Sequence, residues 1–261
     1  MIEPSTFRLD GKVALVTGGT RGIGRGICEA FAAAGATVVV NARKPDELAE
    51  TVTALSAIPG VGGVSSVQGS AADSDVITAM VDHCVSTHGQ LDVLVNNAAT
   101  NPQFGPLIEA DMRTVAKVWD VNLAGPLRLM QEAWRGWMSD HGGVMLNVVS
   151  VGGLRPGPFI GAYNVGKAAL THMTKQLAME LAPGVRVNAI APGLVKTDFA
   201  RALWEPNEDA SNRMQALGRI GLPDDIAGVA LMLCSNAASW MTGEVVVVDG
   251  GAAVSMRGGG G

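Results

Sequence analysis

Apolar residues along the chain gather in short runs that do not alternate with polar ones. Such runs fall at residues 13–17, 37–41, 64–68, 91–95, 144–150, 185–191 and 244–248, the third being the weakest. Strands without alternation are covered on both faces, as in a parallel sheet buried between helices. Between them lie segments with apolar residues at helical spacing, at 22–34, 46–55, 75–87, 111–138, 163–181 and 224–234. Alternating strands and helices predict right-handed βαβ units and a doubly wound α/β fold with a seven-stranded parallel sheet. No linker divides the pattern, so residues 1–261 read as one domain. A polar insertion covers about 194–222, and the glycine-rich tail 256–261 reads as disordered.

In an open sheet of this kind ligands bind beyond the carboxyl ends of the strands, so the informative residues are those just after each strand. The first strand runs into Thr17-Gly18-Gly19-Thr20-Arg21-Gly22-Ile23-Gly24. A glycine turn opening a helix lets the backbone approach a pyrophosphate, and the helix start offers free N–H groups. After the second strand come Asn41-Ala42-Arg43. An acidic residue here would favour NAD through the ribose hydroxyls, whereas an arginine accommodates the extra phosphate of NADP. Ala42 with Arg43, and Arg21 in the glycine turn, point to NADP(H).

Composition removes several alternatives. Nearly half the residues are apolar, 16% are charged and the net charge is −5, which argues against nucleic acid as a partner. No apolar run is long enough to span a bilayer, and residues 1–10 do not read as a signal peptide. Cys28, Cys84 and Cys234 stand far apart, so packed, reduced thiols are expected rather than a metal site or disulfides. His83 and His88 are expected at the surface of one helix. No metal is expected.

The remaining chemistry sits in the second half. Tyr163 is the only tyrosine, and Lys167 four residues later projects from the same helix face. Ser150 closes the preceding strand, and Asn122 lies in the long helix. A phenol is a poor acid at neutral pH, and a nearby cation lowers its pKa.

The glycine turn, spaced G-x-x-x-G-x-G, together with Asn96-Asn97-Ala98-Ala99 and the Tyr163/Lys167 pair, resembles the short-chain dehydrogenase/reductase family. The resemblance runs from Gly11 to Gly251 and implies a Rossmann-like fold and carbonyl–alcohol chemistry. By that resemblance Asn122, Ser150, Tyr163 and Lys167 form the catalytic tetrad. Tyr163 is then the proton donor, Ser150 the hydrogen-bond donor to the substrate oxygen, and Asn122 the holder of a relay water. Lys167 would also hold the nicotinamide ribose. The resemblance places Gly18, Arg21, Gly22, Ile23, Gly24, Arg43, Asn96 and Ala98 against the cofactor. It adds Ala72 or Asp73 at the adenine, and Pro192, Gly193, Val195 and Thr197 beside the nicotinamide. Ala99 departs from the glycine usual in the family.

The stretches 97–105 and 191–204 further resemble the NADPH-dependent carbonyl reductase/retinol dehydrogenase branch, which implies ketone, diketone or aldehyde substrates. The peroxisomal tripeptide of that branch is missing, so a cytoplasmic location is expected. The alternative enzyme is a 3-oxoacyl thioester reductase, with Arg128, Arg135 and Arg201 as candidates for meeting an acyl carrier. A non-catalytic NADP sensor is the other class of reading. Broad apolar stripes on 111–138 and 163–181, with the resemblance, imply a homotetramer.

Overall fold

Seven parallel strands hydrogen-bond in the order β3-β2-β1-β4-β5-β6-β7 in the computed structural model, which describes residues 3–254. They are β1 (Val13–Thr17), β2 (Thr37–Ala42), β3 (Gly63–Gln68), β4 (Val93–Asn96), β5 (Gly143–Val148), β6 (Val185–Pro192) and β7 (Val245–Val248). The tail 256–261 lies outside the described residues. Successive side chains of a strand face opposite sides of the sheet. In β1, Ala14 and Val16 pack with Ile27 and Phe31 on one side, and Val13 and Leu15 with Met80, Leu129 and Leu170 on the other. Burial on both sides explains why the runs do not alternate.

One layer holds α1 (Gly22–Ala33), α2 (Pro45–Ser56) and α10 (Pro223–Cys234). The other holds α3 (Ser74–His88), α5 (Gly125–Ala133) and α7 (Gly161–Leu181). Phe31 is fully buried, and truncating such a residue to alanine costs about 3–5 kcal/mol. Between β6 and α10 lie the short helices α8 (Arg201–Trp204) and α9 (Glu208–Arg213). The ends of that insertion are drawn together by Lys196 N–H to the Gly221 carbonyl at 2.8 Å and Gly221 N–H to the Leu194 carbonyl at 2.9 Å.

The structure redraws several boundaries. The long helix splits into α4 (Met112–Trp119), α5 and α6 (Ser139–His141), joined by π-helical turns at Asp120–Ala124 and Trp134–Met138. β5 ends at Val148, so Ser150 stands beyond the strand as the N-cap of a 3-10 turn, Val151–Gly153. His83 and His88, expected at the surface of one helix, are half-buried in α3. Both ring Nε2 atoms reach Ser65 Oγ on β3, at 2.9 and 2.8 Å. The three thiols are buried and unpaired, and burial pushes each up to about 12.

Candidate active site

The strand order reverses between β1 and β4, which lie side by side although β2 and β3 intervene in the chain. The crevice above such a reversal is where doubly wound sheets bind ligands. Gly18 and Gly22 there have φ of +64° and +54°, which a side chain disfavours. A Cβ on Gly24 would lie 2.2 Å from the Gly18 carbonyl oxygen and 2.4 Å from Asn97 Nδ2. Asn97 Nδ2 donates to the Thr17 and Gly18 carbonyls at 2.9 and 3.1 Å. Thr17 Oγ1 accepts from Asn97 N–H and Ala98 N–H at 3.0 and 3.1 Å and donates to the Val95 carbonyl at 3.2 Å. The turns after β1 and β4 are therefore stapled into one backbone surface.

α1 starts at Gly22 with Arg21 as an extended N-cap and no side-chain cap, so the N–H groups of Gly22, Ile23 and Gly24 face the crevice without a side-chain acceptor. A phosphate fits this arrangement in charge and in space. Beside it, Arg21 and Arg43 are exposed, and neither guanidinium has a hydrogen bond or ion pair among the described residues. Glu47 is the nearby acid. Lys44 at 2.7 Å, the Thr20 hydroxyl at 3.1 Å and Arg21 hold its carboxyl below the usual range.

Other cofactor candidates are spread around the same rim. The Ala72 carbonyl accepts from Arg128 at 2.8 Å. Asp73 is occupied otherwise: its Oδ1 caps α3 by accepting from Asp75 N–H at 2.9 Å and Val76 N–H at 3.3 Å. Asn96 turns away from the crevice, donating at 3.0 Å to the Asn147 Oδ1 in a buried pair. Gly193 follows Pro192 at the end of β6, where a Cβ would meet the Asp249 backbone at 2.7 Å. Val195 is buried. Thr197 approaches the glycine turn, its Cγ2 lying 3.1 Å from where a Gly22 Cβ would be. The segments after β1 and β6 thus meet over one cleft.

On the other side of the cleft, β5 and α7 bring Ser150, Tyr163 and Lys167 together. Lys167 is 2% exposed and its Nζ donates to the Val148 carbonyl at 2.6 Å. Burial draws its pKa down to about 8. The ammonium lies 5.6 Å from the centre of the Tyr163 ring. Burial pushes the phenol up to about 12, and the Ser150 hydroxyl opposes that rise through a hydrogen bond. The sequence suggested a phenol acidified by Lys167; in this state desolvation of the phenol outweighs the one group that lowers it, the Ser150 hydroxyl. Asn122 sits in the first π turn, fully buried, and clasps Thr100: its Oδ1 accepts from the Thr100 N–H and its Nδ2 donates to the Thr100 carbonyl, both at 2.8 Å. It therefore anchors the chain after β4 to the long helix. π turns recur at functional sites because they redirect a side chain within a helix.

One aromatic side chain borders this corner, and a stacked pair lies on the segments before it and before α7. Phe199 lies 5.9 Å from the Tyr163 ring, and Phe104 stacks on Phe159 at 5.2 Å. Phe159 takes φ +67°, rare for a bulky residue. Gln103 secures the approach, donating to the Gly105 carbonyl at 2.8 Å and accepting from Ala162 N–H at 3.3 Å. Sequence reasoning overlooked Thr17, Asn97 and Gln103. Asn97 could have been found from its place beside Asn96 in the turn after a central strand.

Comparison with known proteins bears on the family and the fold. A family model described as Enoyl-(Acyl carrier protein) reductase matches residues 18–253. The chain is 42% identical over 250 residues to "Dehydrogenase/reductase SDR family member 4" of Sus scrofa, covering 94% of this chain and 88% of that protein. Among solved structures, 7 alpha-hydroxysteroid dehydrogenase complexed with NADH and 7-oxo glycochenodeoxycholic acid superposes with TM-score 0.90 at 32% identity, covering 96% and 98% of the two chains. A Beutenbergia cavernae protein described as an NAD(P) dependent gluconate 5-dehydrogenase, with bound NADP at low occupancy, gives TM-score 0.89 at 33% identity, covering 96% and 100%.

Proposed function

Because the chain belongs to the short-chain dehydrogenase/reductase family of oxidoreductases, we propose that it uses NADP(H) to reduce a ketone, diketone or aldehyde to an alcohol through Asn122, Ser150, Tyr163 and Lys167. The observation that carries this reading is the corner where the one tyrosine, Ser150 and a buried lysine meet at the carboxyl end of β5. When bound, NADPH supplies the hydride. The glycine turn, the uncapped start of α1 and Ala98 would hold its pyrophosphate half. Pro192, Gly193, Val195 and Thr197 would flank its nicotinamide. Arg21 and Arg43, exposed and without a hydrogen bond or ion pair at their guanidinium groups among the described residues, are the groups for the extra phosphate of NADP. A guanidinium offers paired N–H donors to such a phosphate. Asn96 and Asp73 already have internal partners, so their contribution is to shape the rim.

The chain's own residues then manage one proton. A phenol raised to about 12 is protonated at neutral pH, which is the form a reduction consumes. Ser150 donates to the carbonyl oxygen as negative charge develops, an interaction stronger in the transition state than in the ground state. Lys167, still largely charged at neutral pH with a pKa of about 8, stabilises the phenolate left after proton transfer. Asn122 keeps the 100 segment and the long helix in register, beside the path by which the proton is restored.

Phe199, half-exposed beside the Tyr163 ring, favours a substrate with an apolar or aromatic group next to its carbonyl. A 3-oxoacyl thioester is the second reading, favoured by the description of the matching family model. Against it, Arg128, Arg135 and Arg201 each already face a carboxylate, respectively Asp120, Glu132 and Asp198. A cytoplasmic homotetramer is part of the same proposal. Three unpaired buried thiols suit a reducing compartment, and Trp134, Val165 and Met179 leave apolar surface on the long helices for a second copy. Among the described residues no helix is long and apolar enough to cross a membrane.

The test is a spectrophotometric screen of NADPH and NADH oxidation over aryl ketones, diketones, aldehydes and acetoacetyl thioesters. Preferential NADPH consumption with an apolar ketone or diketone is expected. Faster turnover of the thioester would favour the second reading. Tight NADPH binding with no turnover across the panel would overturn both in favour of a sensor.

A further inference from the structure

Ser150 has an extended backbone, φ −166° and ψ 151°, and its Oγ accepts a hydrogen bond from Gly152 N–H at 3.1 Å. A hydroxyl carries one proton and two acceptor lone pairs. With the Gly152 N–H held on a lone pair, the proton is directed elsewhere, toward the phenol and the cleft. Everything then depends on the turn at 151–153 staying closed. That turn lies flat on α7 because two consecutive glycines let it. A Cβ at Gly153 would meet the Lys167 carbonyl carbon at 2.7 Å. At Gly152 a Cβ would lie 2.1 Å from Asn164 Oδ1 and 2.9 Å from its Cγ. Asn164 is 7% exposed, and its Oδ1 has no hydrogen-bond partner among the described residues. An unpaired buried carboxamide oxygen is disfavoured on its own, so the side chain is held there by shape.

We infer that Asn164 is a positioning residue for Ser150: its carboxamide occupies the space a side chain at 152 would fill, and so locks the 151–153 turn with the Gly152 N–H on the Ser150 oxygen. Asn164 acts through Gly152 and the Ser150 rotamer. The inference rests on the reading of Ser150 as the hydrogen-bond donor to the substrate oxygen. It predicts a reciprocal relation between two positions that the sequence keeps twelve residues apart. A methyl group at 152 and the carboxamide at 164 compete for one space, so either can fill it and the two together force one of them to shift.

The experiment compares kcat, the KM for NADPH and thermal unfolding in the wild type, Asn164→Ala, Gly152→Ala and the double variant. Each single variant is expected to lower kcat about tenfold, the scale of loss from a small misplacement of a catalytic group, with the KM for NADPH unchanged. In the double variant the methyl group introduced at position 152 fills the vacated space and kcat recovers most of the loss. Asn164→Leu, equal in shape but without the amide, is expected to keep kcat, and it decides the matter if Gly152→Ala does not fold. Losses that simply add in the double variant would overturn the inference, as independent sites behave that way. Wild-type kcat in Asn164→Ala, or equal loss in the Leu and Ala variants, would also overturn it. Wild-type turnover beside an unaffected Asn164→Ala sinks the positioning role alone, whereas an inert wild-type enzyme sinks the functional reading and this inference with it.

Discussion

The two walls of the cleft are built from different materials. The wall over β1 and β4 is backbone: glycines with no space for a Cβ, and carbonyls and N–H groups tied by Thr17 and Asn97. The wall over β5 and α7 is side chains, and it stores unfavourable terms. A lysine is buried with one carbonyl partner, a phenol is pushed up to about 12, and a carboxamide oxygen has no donor. The two walls suit different tasks. A backbone wall presents a fixed surface to the invariant part of a dinucleotide. A side-chain wall holds ionisable groups away from their ordinary states, which catalysis needs.

The largest effect is expected from Gly24→Ala. The added methyl would lie 2.2 Å from the Gly18 carbonyl oxygen, so the backbone wall must move. Overpacking of this kind costs about 1–3 kcal/mol, and NADPH affinity is expected to fall by up to about 100-fold in a fluorescence titration. Unchanged affinity would remove the glycine turn from the cofactor site. Arg43→Asp, at the open rim, is expected to shift the NADPH/NADH preference by about tenfold through loss of a charge-assisted contact. An unaltered ratio of kcat/KM values would take Arg43 out of the phosphate site.

On the side-chain wall, Lys167 has its folded pKa lowered to about 8 from 10.5. Above pH 8 the unfolded chain holds the extra proton, so stability rises with pH through this window. Between pH 7 and 9 the wild type is expected to gain roughly 1–2 kcal/mol over Lys167→Met, read as the difference in denaturant unfolding. The difference is needed because buried Cys28, Cys84, Cys234 and Tyr163 have raised values and work in the opposite direction above about pH 9. A flat difference would show that Lys167 is not desolvated. The smallest effect belongs to Asp73→Ala. Loss of the α3 cap is expected to cost about 1 kcal/mol while NADPH affinity stays unchanged. Weakened NADPH binding would return Asp73 to the adenine.

Much of the backbone wall was legible in the sequence, because its signals are local. Unbroken apolar runs marked the strands, and Gly18, Gly22 and Gly24 marked a turn opening a helix. The Tyr163/Lys167 spacing alone placed both on one helical face. Contacts between distant segments were not legible. Thr17 with Asn97, Asn122 with Thr100 and Ser65 with two histidines each join residues far apart in the chain. The π turn around Asn122 escaped notice because a pattern of apolar positions does not register one extra residue in a helical turn. Ser150 read as strand because the apolar run continues through Val149, although the pairing stops at Val148.

The most direct test of the account is NADPH oxidation by Tyr163→Phe with the best substrate from the screen, beside a fluorescence titration of NADPH. Removing one hydroxyl is expected to abolish turnover while leaving NADPH affinity nearly unchanged, since the backbone wall is untouched. Turnover at the wild-type rate in that variant would contradict the account, because some other group would then be delivering the proton.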